Sequence, residues 1–131
     1  MPTPFKCSLV TPEAELLATE AIYASIPVHD GQLGVMHLRA PLVAKLGSGP
    51  LRLDIAESDQ RLYFVSGGFM QVKDDVLTIL TDEATPVEEL DRTDAEAALA
   101  EALAYQPRTE GDRQRKERDV ERARGMLAAM R

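Results

Sequence analysis

Tryptophan is absent from these 131 residues, cysteine occurs once, histidine occurs twice, and aromatic residues make up only 5% of the chain. With 44% hydrophobic content and so few rings, any packed core has to be aliphatic. The lone cysteine, Cys7, cannot form an internal disulfide, and its place in the alternating run Phe5, Cys7, Leu9 reads as a small buried hydrophobe rather than a reactive thiol. No apolar run approaches the ~18 residues that a membrane span requires. The opening MPTPFKCSLV shows neither a signal-peptide core nor an Arg-rich transit pattern, so the expectation is a chain kept in the cytosol that meets a membrane only through a partner. A length of 131 residues leaves room for one ordinary domain, or a small domain with an appendage.

Assembled catalytic chemistry is also missing. A metal reading would use His29, Asp30 and His37, but their spacing matches no compact ligand pattern and a third strong ligand is not apparent. The acidic pairs Asp74–Asp75, Asp82–Glu83 and Glu88–Glu89 are sequence neighbours, which face opposite ways on a strand and so read as solvated turns rather than a catalytic dyad. Ser8, Ser25, Ser48, Ser58 and Ser66 lie in no G-x-S-x-G elbow, and the glycines form neither a Walker loop nor a dinucleotide fingerprint. No catalytic residue, cofactor site or metal site is expected.

What the chain does have is turn chemistry. DGQLGVMHLRAPL runs from Asp30 to Leu42, where Gly31 and Gly34 bracket a short apolar step, and VSGGFMQV runs from Val65 to Val72, with Gly67 and Gly68 between two alternating stretches. Charge is divided unevenly. Residues 1–90 hold 13 acids and 6 bases, a net of −7, while residues 91–131 hold 9 of each. An acidic body argues against nucleic acid, whose binding needs a basic stripe. The evenly mixed tail has the signature of an exposed helix laced with ion pairs.

The hydrophobic period divides the chain into residues 1–89 and 90–131. Up to about Thr81 short runs alternate with period two: Phe5 to Leu9, Ile22 to Ile26, Leu42 to Leu46, Leu51 to Ile55, Arg61 to Ser66, Phe69 to Lys73 and Val76 to Thr81. Turns are expected at Pro27–Gly31, Gly47–Pro50, Glu57–Gln60, Gly67–Gly68 and Asp74–Asp75. Strands at this spacing predict an antiparallel β-sandwich or flattened barrel. Beyond Glu89 the period becomes helical. Thr93 and Glu96 form a capping box before an alanine-rich helix carrying Leu99 and Leu103, and Pro107 and Gly111 break the chain. A second helix from Asp112 to Met130 has the stripe Val120, Ala123, Leu127 and Met130. The i,i+4 pairs Asp112–Lys116, Arg113–Glu117 and Arg115–Asp119 should each add a few tenths of a kcal/mol. The two helices make an antiparallel hairpin whose small side chains allow close packing but bury little area, which predicts weak attachment to the sandwich.

The order of segments resembles the epsilon subunit of the F-type ATP synthase: SLVTPEAELL from Ser8, DGQLGV from Asp30, APL from Ala40, GPLR from Gly49, SGGFMQV from Ser66, VLTILTD from Val76 and LD at Leu90, then two helices. Each motif is weak, but the series covers essentially the whole chain in order. The resemblance implies a non-catalytic rotor subunit at the foot of the central stalk, on the cytoplasmic face of a bacterial inner membrane. Its sandwich would bind the gamma subunit on one face and the ring of c subunits at its lower end. By position, His29, Asp30, Gly31 and Gln32 would face the ring, and Arg39, Ala40, Pro41 and Leu42 would face gamma. The hairpin, with Leu99, Leu103, Val120, Ala123, Leu127 and Met130, would be the brake on ATP hydrolysis, meeting the alpha and beta subunits when extended.

Three positions depart from the family's pattern. His37-Leu38-Arg39 replaces a frequent Pro-x-His, which puts a guanidinium in place of an imidazole at the gamma contact. Neutral Gln32 stands where Glu is common, leaving Asp30 as the charged ring contact. Members that bind ATP as a regulator tend to show Leu-Asp-x-x-Arg-Ala at the hairpin's start, where this chain has Asp94 in place of the arginine, so no tight ATP binding is expected. Two other classes stay open from the residues alone. One is a small metal-dependent β-barrel enzyme using His29 and His37; the other is a β-sandwich adaptor whose charged tail binds a different partner.

Overall fold

The structure is a computed structural model that describes residues 2–56 and 58–131. Eight strands are followed by two helices: β1 Phe5–Val10, β2 Glu15–Ala21, β3 Tyr23–Val28, β4 Gly31–Val35, β5 Leu42–Lys45, β6 Ser48–Ala56, β7 Asp59–Lys73, β8 Val76–Pro86, then α1 Arg92–Ala104 and α2 Glu110–Ala129. A single 3-10 turn, Val87–Glu89, joins the two parts. Glu57, within one of the expected turns, lies outside the described residues.

The pairing makes two layers that share a long hairpin. One layer is β4, β3, β6, the first half of β7 and the end of β8; the other is β2, β1, the start of β8, the second half of β7 and β5. Between them lies an aliphatic core in which Phe5, Cys7 and Leu9 of β1 meet Ile26, Leu51, Leu53, Val65, Met70, Leu77 and Ile79. Burial pushes the Cys7 thiol up to about 12, the behaviour of a packed and unreactive side chain.

The structure corrects several expectations. Gly67–Gly68 is not a turn between strands but the interior of one 15-residue strand. There β7 leaves β6, its partner up to Ser66, and takes β5, its partner from Phe69. The inward positions change parity across the glycines, from Tyr63 and Val65 to Met70 and Val72, so the alternation breaks where the chain passes from one layer to the other. Gly68 has φ +100, and a Cβ there would come within 2.0 Å of the Leu80 carbonyl oxygen. Gly49 and Pro50 belong to β6, not to a turn. Proline is tolerated because the β3 ladder begins only at Arg52, leaving β6 with one neighbour at that point. The Pro27–Gly31 turn shrinks to His29 and Asp30 between β3 and β4. β2 carries no expected strand; its pattern is mostly exposed because it is a layer edge.

The helices also differ in detail. The cap of α1 is Asp91, whose carboxylate accepts from the Asp94 N–H at 3.1 Å, rather than Thr93. Thr109 caps α2, which therefore includes Gly111. Among the described residues none of the three expected i,i+4 pairs forms. Arg113 pairs with Glu110, and Lys116 Nζ donates to the Leu103 and Tyr105 carbonyls at 3.0 Å each, closing the C-terminus of α1.

Candidate docking surfaces

The loop between β3 and β4 projects His29, Asp30 and Gly31, all exposed. Gly31 at φ +134 is open to solvent, with nothing within 4 Å of where a Cβ would be. The His29 N–H donates to the Lys45 carbonyl at 3.2 Å, fastening this turn to the end of β5. Gln32 is turned back onto its own layer. Its Oε1 accepts from Ser25 Oγ at 2.9 Å and its Nε2 donates to the Pro50 carbonyl at 3.4 Å. Gln32 stays exposed while its amide is held to this layer, beside the exposed His29 and Asp30.

Residues 36–41 cross from β4 in one layer to β5 in the other. They enter β5 at Leu42, whereas the His29 turn is fastened at Lys45, so the two segments lie at opposite ends of a four-residue strand, ~10 Å apart at strand rise. Arg39, Ala40 and Pro41 are exposed and Leu42 is half-buried; among the described residues the Arg39 guanidinium has no ion-pair partner. The turn is gripped by a carboxylate distant in sequence. Asp75 Oδ1 accepts from the Leu38 N–H at 2.9 Å, and its Oδ2 lies 2.7 Å from His37 Nδ1. The bond from the Leu38 backbone and the His37 ring together hold the Asp75 carboxyl below its ordinary range against a desolvation cost. Asp74 and Asp75 form the two-residue turn from β7 to β8 with φ 52 and 64. Asp75 is thus a structural ligand of the loop, where a solvated turn was expected, and His37 is taken up by it. Among the described residues no three of His, Cys, Asp and Glu gather as a metal-ligand set.

Leu38 has φ 65, a conformation that costs a non-glycine residue about 1–2 kcal/mol, and the residue is 77% exposed, the largest value among the exposed large hydrophobics. The outer face of the layer that contains β5 is apolar toward its Lys45 end, away from the Asp75-held loop. Phe69 of β7 pairs across to Leu80 of β8, and Val43 of β5 to Gln71 of β7; Phe69, Leu80 and Val43 are exposed at 55%, 53% and 66%. Val10 on β1 extends the Phe69–Leu80 row. The period-two runs placed Val43, Phe69 and Leu80 on strands, and nothing in the sequence singled them out.

The outer face of the other layer is covered by the hairpin. Phe64 is fully buried there among Ala95, Ala123, Met126 and Ala129, with Leu99, Leu127 and Met130 partly buried at its margin. Of the expected stripe, Ala123 is central, Val120 lies half-buried to one side, and Leu103 is 46% exposed. The close packing expected of small side chains is present at Gly125, where a Cβ would come within 2.6 Å of the Ser48 carbonyl oxygen. A polar latch supplements it. Arg122 Nε donates to Glu83 Oε1 at 2.7 Å, a second guanidinium nitrogen donates to Oε2, and the group stands 6.0 Å from the Phe64 ring centre. The Glu83 hydrogen bonds push the guanidinium pKa further up, so Arg122 stays charged.

The site and fold thus define a two-layer β-sandwich with a helical hairpin on one face and exposed apolar residues on the other, a docking subunit in form. The profile of the ATP synthase, Delta/Epsilon chain, beta-sandwich domain matches residues 4–87. An ATP synthase epsilon chain from Rhodopirellula baltica is 47% identical over 126 residues, covering 96% of this chain and 98% of that one. The epsilon chain of Chromohalobacter salexigens is 35% identical, covering 95% and 84%. A chain in the Euglena gracilis mitochondrial ATP synthase, solved as OSCP/F1/c-ring, superposes with TM-score 0.89 at 29% identity, covering 100% of this chain and 84% of that one. A chain in the Tetrahymena thermophila central stalk and c-ring, at 17% identity and TM-score 0.72, shares the fold. This chain belongs to the ATP synthase epsilon chain family, whose members are non-catalytic stalk subunits. Among the described residues no helix is long and apolar enough to cross a membrane.

Proposed function

We propose that this chain joins the gamma shaft of its ATP synthase to the ring of c subunits, so that ion flow turning the ring rotates the shaft within the head where ATP is made. It would do so as a peripheral component at the cytoplasmic face of a bacterial inner membrane. The observation that carries this reading is the division of the two outer faces: the hairpin covers one, and Val43, Phe69 and Leu80 leave the other apolar and open. Exposed apolar area of this kind is what a permanent partner covers. Gamma is assigned to that face together with Arg39, Ala40, Pro41 and Leu42. The ring is assigned to His29, Asp30 and Gly31, with Gln32 supporting the turn from behind.

Residues 90–131 act as the brake on ATP hydrolysis by leaving the sandwich and extending toward the alpha and beta subunits. The contacts that hold them, the Phe64 cluster, the close approach of Gly125 to Ser48 and the Arg122–Glu83 latch, are built from small side chains and one ion pair and suit an element whose two positions differ by a few kcal/mol. Tight ATP binding at the start of α1 is disfavoured, since the Asp91 carboxylate already occupies the helix N-terminus and Asp94 adds a second negative charge there. Calorimetric titration giving micromolar affinity would overturn that statement.

The test uses the enzyme's own head and gamma, depleted of this chain and then reconstituted. Paired substitution of Phe69 and Leu80 by Asp should abolish association. A chain ending at Glu89 should still associate and should raise ATP hydrolysis. Retained binding by the paired variant rejects the gamma face, and unchanged hydrolysis with the shortened chain rejects the brake.

A further inference from the structure

We infer that Lys116 is the pin of the hairpin: it completes α1 from α2, so that when α2 swings away from α1 the last turn of α1 melts and becomes a tether on which α2 reaches outward. The use of the tether rests on the brake reading above; the pin itself does not. Three observations converge. If α1 continued, the Leu103 carbonyl would accept the N–H of residue 107, but that residue is proline and has none. Lys116 Nζ donates there instead, and to the Tyr105 carbonyl, at 3.0 Å each. The last turn of α1, Glu101 to Ala104, has no cation of its own and sets an acid at the negative end of the helix dipole.

The second observation is that α1 has little else to hold it. Its 13 residues are a length at which an isolated helix is marginal, and the residues it buries are Ala95 and Ala102. It packs chiefly on α2, which in turn packs on β6 and β7. The third is that α2 does not depend on α1 in the same way. It is 20 residues long, is capped by Thr109, carries the Arg113–Glu110 pair and buries Ala123, Gly125, Met126 and Ala129. Separation therefore leaves α2 its own cap and strips α1 of the donor that stands in for Pro107. Melting lets residues 101–104 reach up to ~13 Å where the helix spans ~6 Å, lengthening the joint of residues 105–109 that connects the helices.

The experiment compares the full chain as wild type, Lys116→Met and Lys116→Arg by hydrogen exchange read with mass spectrometry. Methionine keeps an unbranched stem and removes the donors, so exchange at residues 101–105 should accelerate about 3–10-fold, while residues 120–129 of α2 stay within about twofold of wild type. Arginine keeps the charge and should return most of the protection. In the reconstituted enzyme Lys116→Met should lower ATP hydrolysis below the wild-type level, because an unpinned α2 is released more often.

Unchanged exchange at residues 101–105 in Lys116→Met overturns the pin, as does Lys116→Arg exchanging no more slowly than Lys116→Met. An equal acceleration in α2 overturns the unequal dependence of the two helices. Wild-type hydrolysis with Lys116→Met, where the chain ending at Glu89 does raise hydrolysis, overturns the tether. Failure of the brake reading is distinguishable, because the chain ending at Glu89 would then leave hydrolysis unchanged while the exchange rates still decide the pin.

Discussion

Thr81 is only 2% exposed, and its hydroxyl lies 2.8 Å from the Gly67 carbonyl and 2.9 Å from the Glu83 carbonyl. It can donate only one proton, and the shorter contact closes the point where β7 changes partners. Thr81→Val keeps the shape and strands that carbonyl, so chemical denaturation should show a loss of about 1–3 kcal/mol. Asp75 gives a pH prediction whose sign follows from its lowered pKa. A carboxyl held below its ordinary 3.8 contributes stability that is present above that value and is lost as pH falls through the folded value. The Leu38 amide should therefore be protected from hydrogen exchange near neutrality and lose protection first on acidification below about pH 4. Protection that persists unchanged to pH 2 would break the link. Cys7 offers a simpler check: with its thiol raised to about 12 by burial, an aromatic disulfide reagent at neutral pH should react with it only after unfolding.

Among the elements, α2 is the most informative. Gly125→Ala would set a methyl against the Ser48 carbonyl, where under 3 Å is available, and Arg122→Ala would leave Glu83 without its partner. Both should free the hairpin without unfolding the sandwich. Limited trypsin digestion should cut the arginines of α2 about tenfold faster in either variant than in wild type, leaving residues 1–89 intact. Equal cleavage would show that these contacts do not hold the helix. The same element shows what local pattern reveals. Its existence was legible from its helical spacing and mixed charge, and β1 was legible from Phe5, Cys7 and Leu9. The partners of its charges were not, because Lys116 and Arg122 answer to α1 and to β8 rather than to residues four places away. β7 read as two strands because the parity change at Gly67–Gly68 imitates a break. β2 was missed because an edge strand shows too few buried positions to alternate. In the docking loop the turn residues were readable, but the grip of Asp75 on His37 spans 38 residues and leaves no local trace.

For the whole molecule, the hairpin's departure has a cost that bears on the shortened chain. Phe64 is fully buried in a cluster with Ala95, Ala123, Met126 and Ala129, and removing the hairpin uncovers a ring whose full burial is worth ~1.5–3 kcal/mol. A chain ending at Glu89 should melt lower than the full protein and self-associate at high concentration, and Phe64→Ser in that background should restore a monomer by sedimentation while leaving gamma binding intact. The sharing of β7 and β8 between the two layers has a different consequence. In a sandwich of separate sheets, shear between the faces is resisted only by side chains meeting across the core. Here two covalent strands run through both layers, so a load applied at one face passes to the other along peptide bonds, and the layers cannot slide without stretching the backbone.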